Sequence, residues 1–379
     1  MFRRFFFMMT LMGVFNVILS AQDTIISDSA TGTVYTIEQY APANFPVGMA
    51  FAPDGRLFYN EKITGNVRVI LADGTTQVEP VINLETDALQ ERGMLGLALS
   101  PNFEDNQMLY VVHTAIGTAR DFPANRLVRF AIDDDNRAET PEELLRYPIE
   151  TGELLHNGGN VHFDEDGYLY LSLGDFGDAT NAQNLNTPQG AVNRFMLDEN
   201  NGLMIPPDNP FGEDNSIYAY GFRNPFDYTF DTRSDVIFVA EVGPSCDDEI
   251  NATRAGDNHG WDADYSCVGT DGTVDVPDYV APMLSYSAPV IAPTGIVVYE
   301  GAAFPDWQGD LFFCDWSFGT MRRVELDETR TQVEAIHEID LGDTTCKLDL
   351  VIGPEGGLYF GTVGSGGGAI MRLLPAKMP

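Results

Sequence analysis

Short runs of alternating apolar and polar residues recur along the whole chain. Each run follows a turn that is rich in Pro, Asp, Glu and Gly, and it carries an aromatic or aliphatic residue at every second position. An alternation of period two predicts short antiparallel strands instead of helices. Six copies of the pattern are present, and they begin at Phe51, Leu99, Phe163, Phe230, Phe304 and Ile352.

The spacing of these copies predicts the fold. Copies that recur at roughly 45–75 residues, each followed by a second strand, are typical of a β-propeller. We therefore expect an all-β protein, a six-bladed β-propeller of four-stranded antiparallel blades. Residues 34–39 should close the ring by pairing with the last blade, and residues 141–145 should form one helical turn. A two-sheet sandwich is the alternative, but it does not explain the period.

The N-terminus has the pattern of a secretory signal peptide. Arg3 and Arg4 precede an apolar run over residues 5–19, and the small residues Ser20 and Ala21 follow it. Such a segment is removed on export. The sequence predicts a signal peptide over residues 1–21, a single domain over residues 22–379, and a secreted or periplasmic location. No other stretch is apolar enough to cross a bilayer, so we expect no membrane insertion.

The four cysteines are expected to form disulfides, because an exported protein meets an oxidising environment. Four cysteines permit three connectivities. Pairing each cysteine with its nearer neighbour in sequence predicts Cys246–Cys267 and Cys314–Cys346.

The chain is strongly acidic, with a formal charge of −36 and a pI near 4.1. A surface of this charge repels nucleic acid and anionic membranes, which excludes both as partners. An anionic small molecule would need a local cationic site inside this field.

One stretch concentrates candidate chemistry. His156 lies in the glycine-rich turn 156–159, and Asp175 lies in the acidic turn 174–178. A reversal at residues 164–167 divides the segment between them into two short strands, which brings the acidic turn back beside the histidine. A histidine with a carboxylate in reach can act as a general base. The alternative is a surface hairpin whose histidine only caps a strand.

Other loops carry ligand-type groups. Arg223 and Asn224 stand between Gly221 and Pro225 and present a cation and an amide, which suit a carboxylate or carbonyl, although an arginine that binds loop carbonyls is an equal alternative. Residues 241–251 are dense in the oxygen ligands that calcium prefers. The loops at equivalent places of successive blades should converge at one face, and they cover residues 90–96, 154–159, 220–227, 241–261 and 288–295.

Together these motifs resemble the soluble quinoprotein sugar dehydrogenases, the glucose/sorbosone dehydrogenase family. The family's fold is a six-bladed propeller, which agrees with the repeat count. The matching motifs span most of the mature chain, in the family's order ERGMLGLALSPNF, HNGGNVHFDEDGYLYLSLGD, YGFRNPFDYTF, GPSCDDEIN, NHGW and APTGIVVY.

The resemblance implies a cofactor and a catalytic pair. The cofactor would be pyrroloquinoline quinone (PQQ), bound with Ca²⁺ in the mouth of the channel. His156 would take the hydroxyl proton of a sugar, and Asp175 would orient the imidazole and balance its charge. Arg223 and Asn224 would contact the quinone.

The resemblance also assigns the calcium loop. The carbonyls of Gly243 and Pro244 would bind Ca²⁺, which polarises the quinone carbonyl, and Asp248 would lie beside the site. Glu91 stands where the family has a glutamine and is grouped with the cofactor-binding residues. Val242 replaces a second glutamine, and Leu155 replaces an acidic residue before the histidine.

The family's basic residues for the cofactor's carboxylates are missing. Their positions are Ser317, Cys346 and Leu348, and each lost cation removes a charge-assisted hydrogen bond of roughly 1.5–3 kcal/mol. Cations elsewhere in the chain would have to compensate, and the candidates are Lys347, Arg322 and Arg92.

The first hypothesis is therefore a secreted dehydrogenase that oxidises a sugar or related alcohol, with an external electron acceptor and an oligomeric state that no motif specifies. The second is a non-catalytic carbohydrate- or calcium-binding propeller. The third is a metal-dependent, lactonase-like hydrolase, which would need several carboxylates on the channel axis. We expect the other four histidines, His113, His162, His259 and His337, to be structural.

Overall fold

Six antiparallel sheets form a ring in the computed structural model, which describes residues 25–150, 152–364 and 367–377. The first strands of successive blades lie side by side around a central channel, and the first strands of blades 6 and 1 also meet. The prediction of a six-bladed propeller is confirmed. The predicted signal peptide falls outside the described residues.

The first three blades follow one another along the chain, and each runs outward from its first strand. Blade 1 consists of Pro46–Phe51, Leu57–Glu61, Asn66–Ile70 and Ile82–Asn83. Blade 2 consists of Met94–Leu99, Met108–Ala115, Ala124–Ala131 and Glu142–Pro148. Blade 3 consists of Gly158–Phe163, Leu169–Leu173, Ala191–Leu197 and Leu203–Met204, with Ile217–Tyr220 as an extra strand.

The last three blades repeat this order, and blade 6 takes its outer strands from the N-terminus. Blade 4 consists of Pro225–Phe230, Ile237–Glu241, Asp248–Thr253 and Leu284–Tyr286. Blade 5 consists of Pro293–Val298, Leu311–Asp315, Met321–Leu326 and Val333–Ile339. Blade 6 consists of Leu350–Ile352, Leu358–Gly364, Gly367–Pro375, Val34–Ala43 and Ile26–Ser27.

The ring closes through the two ends of the described chain. Val34–Ala43 pairs antiparallel with Gly367–Pro375 over its whole length. The predicted closure by residues 34–39 is confirmed, and the strand is longer than predicted. The pairing supplies blade 6 with an outer strand and leaves no gap in the ring, as closed β-architectures require.

The predicted helical turn at residues 141–145 is wrong. Residues 142–145 lie in the outer strand Glu142–Pro148, which pairs with Ala124–Ala131. Cross-strand ion pairs join Arg129 to Glu142 at 2.8 Å and Arg126 to Glu143 at 2.9 Å. Pairing with a neighbouring strand overrides the local preference of Glu and Leu for helix.

Helix is scarce in the described part of the chain. It consists of the short α-helix Phe103–Asn106 and the 3₁₀ turns Ala179–Asn181 and Pro305–Trp307. None of these is long or apolar enough to cross a membrane.

The core lies between neighbouring blades, and strand alternation builds it. In Met108–Ala115, Leu109 and Val111 pack with blade 1 residues such as Phe58. The intervening Tyr110 and Val112 pack with Leu169 and Leu171 of blade 3. Since successive side chains point to opposite faces, both faces of a middle strand are buried. The period-two pattern therefore encodes the packing of blade against blade.

Buried carboxylates join the inner strands where these strands bulge. Asp227 follows a register shift in blade 4, and its Oδ2 accepts a hydrogen bond from Ile296 N of blade 5 at 3.2 Å. Asp349 Oδ2 accepts one from Met49 N at 2.5 Å, which links blade 6 to blade 1. The bulges leave main-chain N–H groups unpaired within the sheet, and the carboxylates satisfy them.

Both predicted disulfides are confirmed. Cys246 pairs with Cys267 and Cys314 pairs with Cys346, with Cα–Cα distances of 5.9 and 5.3 Å. No described cysteine is free. The Cys246–Cys267 bridge constrains the acidic loop after blade 4's second strand. The Cys314–Cys346 bridge joins blade 5 to the segment that leads into blade 6.

Arg330 holds blades 4 and 5 together, and its replacement tests that role. Its Nε and Nη2 each donate to the Asp231 carboxylate at 3.0 Å, and both side chains are buried. Arg330→Met should lower the free energy of unfolding by about 3–5 kcal/mol, because Asp231 would stay buried without its partner. Chemical denaturation measures this loss. The exposed Arg137, changed to Met, is the control, and a loss below about 1 kcal/mol in Arg330→Met would contradict the assignment.

Candidate functional site

A cavity of about 370 Å³ opens on the channel axis where the inner strands begin. All six blades contribute to its wall, and its volume lies in the range of small-molecule sites, about 300–1,000 Å³. The five loops that the sequence predicted to converge all reach it, through Gln90, Leu155, Asn224, Val242 and Ala292. That prediction is confirmed.

Strained backbone surrounds this cavity. Phe45, Gln90, His156 and Ala292 have φ values of 58°, 53°, 57° and 51°. Each residue lies just before the inner strand of its blade. Non-glycine residues rarely adopt left-handed conformations, and such strain concentrates at functional sites.

His156 and Asp175 meet as the sequence predicted. The Nδ1 of His156 lies 2.7 Å from Oδ1 of Asp175. The two strands Gly158–Phe163 and Leu169–Leu173 form the predicted hairpin, which places the acidic turn beside the histidine. The Asp175 side chain is 2% exposed and that of His156 is 13% exposed. The histidine therefore remains accessible while its partner is sealed from solvent.

Asp175 is itself held by two further donors. The Trp261 indole Nε1 donates to Oδ2 at 2.8 Å, and Gly177 N donates to Oδ1 at 2.7 Å. Because the Asp175 carboxylate is the acceptor, Nδ1 of His156 donates the hydrogen bond, and the lone pair of the neutral ring lies at Nε2. This arrangement gives His156 the competence of a general base. Trp261 belongs to the NHGW motif, but the sequence alone indicates no role for it.

Glu241 positions Arg223 and Asn224. Its Oε1 accepts hydrogen bonds from Arg223 N at 2.7 Å and from Asn224 N at 2.9 Å. The Asn224 side chain in turn accepts a hydrogen bond from Gly158 N at 2.9 Å, which ties this loop to the histidine loop. The sequence places Glu241 in the oxygen-rich stretch 241–251 but does not indicate its role as the acceptor for Arg223 N and Asn224 N. Its signal was an acid at the end of a strand whose other residues are apolar.

Arg223 donates to main-chain carbonyls. Its Nη1 donates to Val242 O at 2.9 Å and to Gly243 O at 2.7 Å, and its guanidinium lies 5.7 Å from the Trp261 ring centroid. The structural alternative for Arg223 is therefore realised. Its Nε and Nη2 hydrogens are not used in these bonds and leave capacity for a ligand.

The loop predicted to bind calcium is braced by Asp248. Oδ1 accepts a hydrogen bond from Gly243 N at 2.9 Å, while Oδ2 accepts two from Ile291 N and Ala292 N at 2.6 and 2.7 Å. Burial raises the pKa of Asp248, and these hydrogen bonds oppose the shift. The role of the Gly243 and Pro244 carbonyls as Ca²⁺ ligands stays a prediction.

A nearby group of possible metal ligands has another explanation. Cys246, Asp247 and Cys267 lie close enough to share an ion. The two cysteines are bonded to each other, and Asp247 accepts hydrogen bonds from Gly269 N and Ser285 Oγ. A disulfide offers no thiolate, so the group is not a metal site.

Glu91 lies in the cavity wall and joins the histidine loop to Asn224. Its Oε2 accepts hydrogen bonds from His156 N at 2.5 Å and from Asn224 Nδ2 at 3.4 Å. Glu91, which stands where the family has a glutamine, therefore accepts both hydrogen bonds with its carboxylate.

The positions that lack the family's basic residues are uncharged in different ways. Leu348 lines the cavity, Cys346 is buried in its disulfide, and Ser317 is exposed. Among the suggested replacements, Arg92 is bound to Asp87 at 2.9 Å and Arg322 to Asp315 at 2.6 Å. Both are already neutralised.

The cavity wall nevertheless suits a polar ligand. Asn157 and Thr294 belong to the wall, and Asn157 Oδ1 and Thr294 Oγ1 have no hydrogen-bond partner among the described residues. Buried polar atoms normally have a partner. These unpaired oxygen atoms, together with the cations Lys62 and Arg223 near the cavity mouth, make the site compatible with an oxygen-rich cofactor such as PQQ.

The fold and site thus define a class, a six-bladed propeller with a His–Asp pair at an axial cavity. Comparison with known sequences agrees, since the profile of the Glucose / Sorbosone dehydrogenase family matches residues 43–372. The chain belongs to the glucose/sorbosone dehydrogenase family and is an oxidoreductase of that type.

Individual relatives are distant. Aldose sugar dehydrogenase YliI of Escherichia coli is 27% identical over 299 residues, covering 75% of this chain and 77% of the relative. Quinoprotein glucose dehydrogenase B of Acinetobacter calcoaceticus is 25% identical over 373 residues, covering 76% of each chain. The PQQ-bound aldose sugar dehydrogenase of Streptomyces coelicolor superposes with a TM-score of 0.75 at 23% identity, over 90% of this chain and 98% of that one, which shows the shared fold.

Close packing at Gly174 offers a test of the histidine loop. A Cβ at this position would lie 2.1 Å from the main-chain oxygen of His156. Gly174→Ala should therefore displace the histidine and lower the free energy of unfolding by about 1–3 kcal/mol. Gly364→Ala is the matched control, because its Cβ would meet no atom within 4 Å. Chemical denaturation compares the two, and equal stabilities would refute the close approach.

A buried carboxyl predicts the pH dependence of stability. Glu249 lies opposite Glu241 on the adjacent strand, and burial, reinforced by Asp247, raises the pKa of Glu249 to about 8. The folded chain then keeps a proton that the unfolded chain releases, so this contribution to stability falls as the pH rises towards 8. Burial lowers the pKa of His113 to about 4 and of His259 to about 3. These two histidines reduce stability only below about pH 6.5, where the unfolded chain takes up protons that the folded chain does not.

The melting temperature should therefore fall between pH 6.5 and pH 8. Glu249→Gln should make this decline shallower, because the neutral amide has no proton to lose. Thermal unfolding in EDTA measures both slopes, and the exposed Glu334→Gln serves as the control. Parallel slopes for wild type and Glu249→Gln would show that Glu249 does not hold the proton.

Proposed function

We propose that the protein is a quinoprotein-type dehydrogenase that oxidises a sugar or related alcohol with PQQ and Ca²⁺. The observation that carries this proposal is the His156–Asp175 pair beside an axial cavity of sufficient volume. The activities named for two relatives, an aldose sugar dehydrogenase and a quinoprotein glucose dehydrogenase, support the same chemistry.

The chain's own residues supply proton transfer. A substrate hydroxyl that reaches Nε2 of His156 loses its proton to the ring. The imidazolium that forms is balanced by Asp175, whose carboxylate is held by Trp261 and Gly177 and cannot rotate away. A fixed, buried counter-charge of this kind stabilises the charged ring without reorganisation.

The cofactor would be held by the loops that the geometry brings together. Arg223, Asn224 and Glu91 would bind PQQ, and the carbonyls of Gly243 and Pro244 would bind Ca²⁺, with Asp248 bracing that loop. When bound, PQQ supplies the hydride acceptor, and Ca²⁺ polarises it. An external acceptor would be needed for the electrons, and we place the reaction outside the cytoplasm, in line with the proposed signal peptide.

A second candidate is a non-catalytic carbohydrate- or calcium-binding propeller. The uncharged residues at positions 317, 346 and 348 favour it, since a binding module has no need of the cofactor's basic cradle. The hydrolase is less well supported. Glu91 is the single carboxylate residue in the described wall of the cavity, whereas a metal-dependent hydrolase needs several.

Reconstitution separates these functions. The apoprotein, incubated with PQQ and Ca²⁺, should reduce a dye in the presence of an aldose. His156→Ala should lower kcat by about 10²- to 10⁴-fold, because the proton loses its acceptor. Its affinity for PQQ should change less than about threefold, and His337→Ala, on the outer strand of blade 5, should behave as wild type.

The outcomes point in different directions. Absence of PQQ binding at micromolar concentration would overturn the dehydrogenase and favour the binding propeller. Binding with full turnover in His156→Ala would leave a dehydrogenase whose base is another residue.

A further inference from the structure

Positive charge in this chain is scarce and almost entirely paired. The sequence has 21 Lys and Arg residues against 57 Asp and Glu. Most described cations have a carboxylate oxygen within 4.0 Å. Among the described residues, the cations without such a partner are Arg120, Arg137 and Lys377, which are exposed, and Lys62, Arg223 and Lys347, which are partly buried.

The three partly buried cations lie close to the axial cavity. Lys62 belongs to its wall. Arg223 and Lys347 lie behind the wall, where they donate to the carbonyls of the wall residues Val242 and Trp316. In a chain with such an excess of acid, cations that lack a carboxylate partner at one place need an explanation. A binding site for an anionic ligand would explain them, because the ligand would supply the negative charge that the cations lack.

Two of these cations stand at the ends of an aromatic row. The Lys62 ammonium lies 5.6 Å from the Phe45 ring centroid, and that ring lies 5.7 Å from Trp316. At the other end of the row, the Lys347 ammonium lies 5.3 Å from the Trp316 ring centroid. Phe45 and Trp316 both line the cavity, and Trp316 is 42% exposed.

The main chain holds both lysines in place. Lys62 Nζ donates to the carbonyls of Gln90 and Arg92, the latter at 2.7 Å, and Lys347 Nζ donates to Trp316 O at 2.6 Å. An ammonium has three donors, so one remains on Lys62 and two on Lys347. Burial lowers the pKa of Lys62, and the more distant carboxylates of Glu91 and Asp87 partly oppose this shift. A bound anion would oppose it further.

We propose that Lys62, Phe45, Trp316 and Lys347 form a subsite for a planar aromatic polycarboxylate. The ring of the ligand stacks on Trp316, and its carboxylates receive hydrogen bonds from the two ammonium groups. This inference rests on the proposed function where it names PQQ as the natural occupant. It supplies the cations that positions 317, 346 and 348 lack, from Lys62 in blade 1 and from Lys347 between two of the uncharged positions.

The chemistry favours this class of ligand over a neutral sugar. Charge-assisted hydrogen bonds select carboxylates, and a partly exposed indole at the cavity wall favours contact with a flat conjugated ring. A neutral sugar could pack on the aromatic ring, but it has no negative charge that would require two unpaired cations. Arg223, on the far side of Asn224, adds the third positive charge to the mouth.

Binding of two probes tests the subsite. PQQ and trimesate (benzene-1,3,5-tricarboxylate) are titrated into the full chain with Ca²⁺ and followed by calorimetry and by quenching of tryptophan fluorescence. Lys62→Met and Lys347→Met should each weaken both ligands by about 10- to 100-fold, the range for a hydrogen bond to a charged group. Arg137→Met, which removes the same charge from an exposed site, should change Kd less than about twofold.

Further controls separate charge from folding. Lys347→Arg should recover most of the lost affinity, and melting temperatures report whether each variant is folded. Wild-type affinity for trimesate should fall as salt is raised from 50 to 500 mM, a measurement that needs no variant. A Kd independent of salt would overturn the subsite.

The results also distinguish the two proposals. Lysine-dependent binding of trimesate without binding of PQQ supports the subsite and overturns the quinoprotein function. Binding of PQQ at wild-type affinity in both lysine variants overturns the subsite and leaves that function standing. Failure of the wild type to bind either probe overturns both.

Discussion

Buried carboxylates that accept main-chain N–H groups hold the mouth of the channel together. Asp248 ties the loop after blade 4's second strand to the start of blade 5, and Asp349 ties blade 6 to blade 1. Glu241 holds the Arg223–Asn224 dipeptide, and Glu91, which is only half-buried, holds the histidine loop in the same way. Burying a carboxylate is costly unless it is hydrogen-bonded, and irregular loops offer unpaired N–H groups. The loop N–H groups supply the donors that the carboxylates require, and the carboxylates supply the acceptors that the N–H groups require. These hydrogen bonds hold the strained loops in place.

This arrangement accounts for part of the chain's acidity and for where its positive charge goes. Acids inside the ring act as structural acceptors, while most arginines neutralise acids on and between blades, as Arg330 does with Asp231. The exceptions at the mouth, Lys62, Arg223 and Lys347, are held by carbonyls and aromatic rings. A carbonyl positions a cation without cancelling its charge. The mouth therefore keeps positive charge that no described carboxylate within 4.0 Å pairs with, in a protein whose net charge is strongly negative.

Local sequence predicted the architecture well, because a propeller repeats its pattern and each copy is read independently. It failed at residues 141–145, where Glu and Leu favour helix but pairing with Ala124–Ala131 imposes a strand. It found His156 and Asp175, since a hairpin of short strands fixes their approach. It missed Lys62, Phe45 and Trp316, which come from blade 1 and blade 5 and carry no motif of their own.

By itself, then, the sequence determined the number of blades, the ring closure, both disulfides, the converging loops and the His–Asp pair. All of these follow from local periodicity, from nearest neighbours or from family motifs. The tertiary structure alone decided which cations remain unpaired, because pairing depends on which acids lie within 4 Å in space. It also decided that Glu241 and Trp261 support the site, since their contacts, to Arg223 N and Asp175, join residues that are distant in the chain.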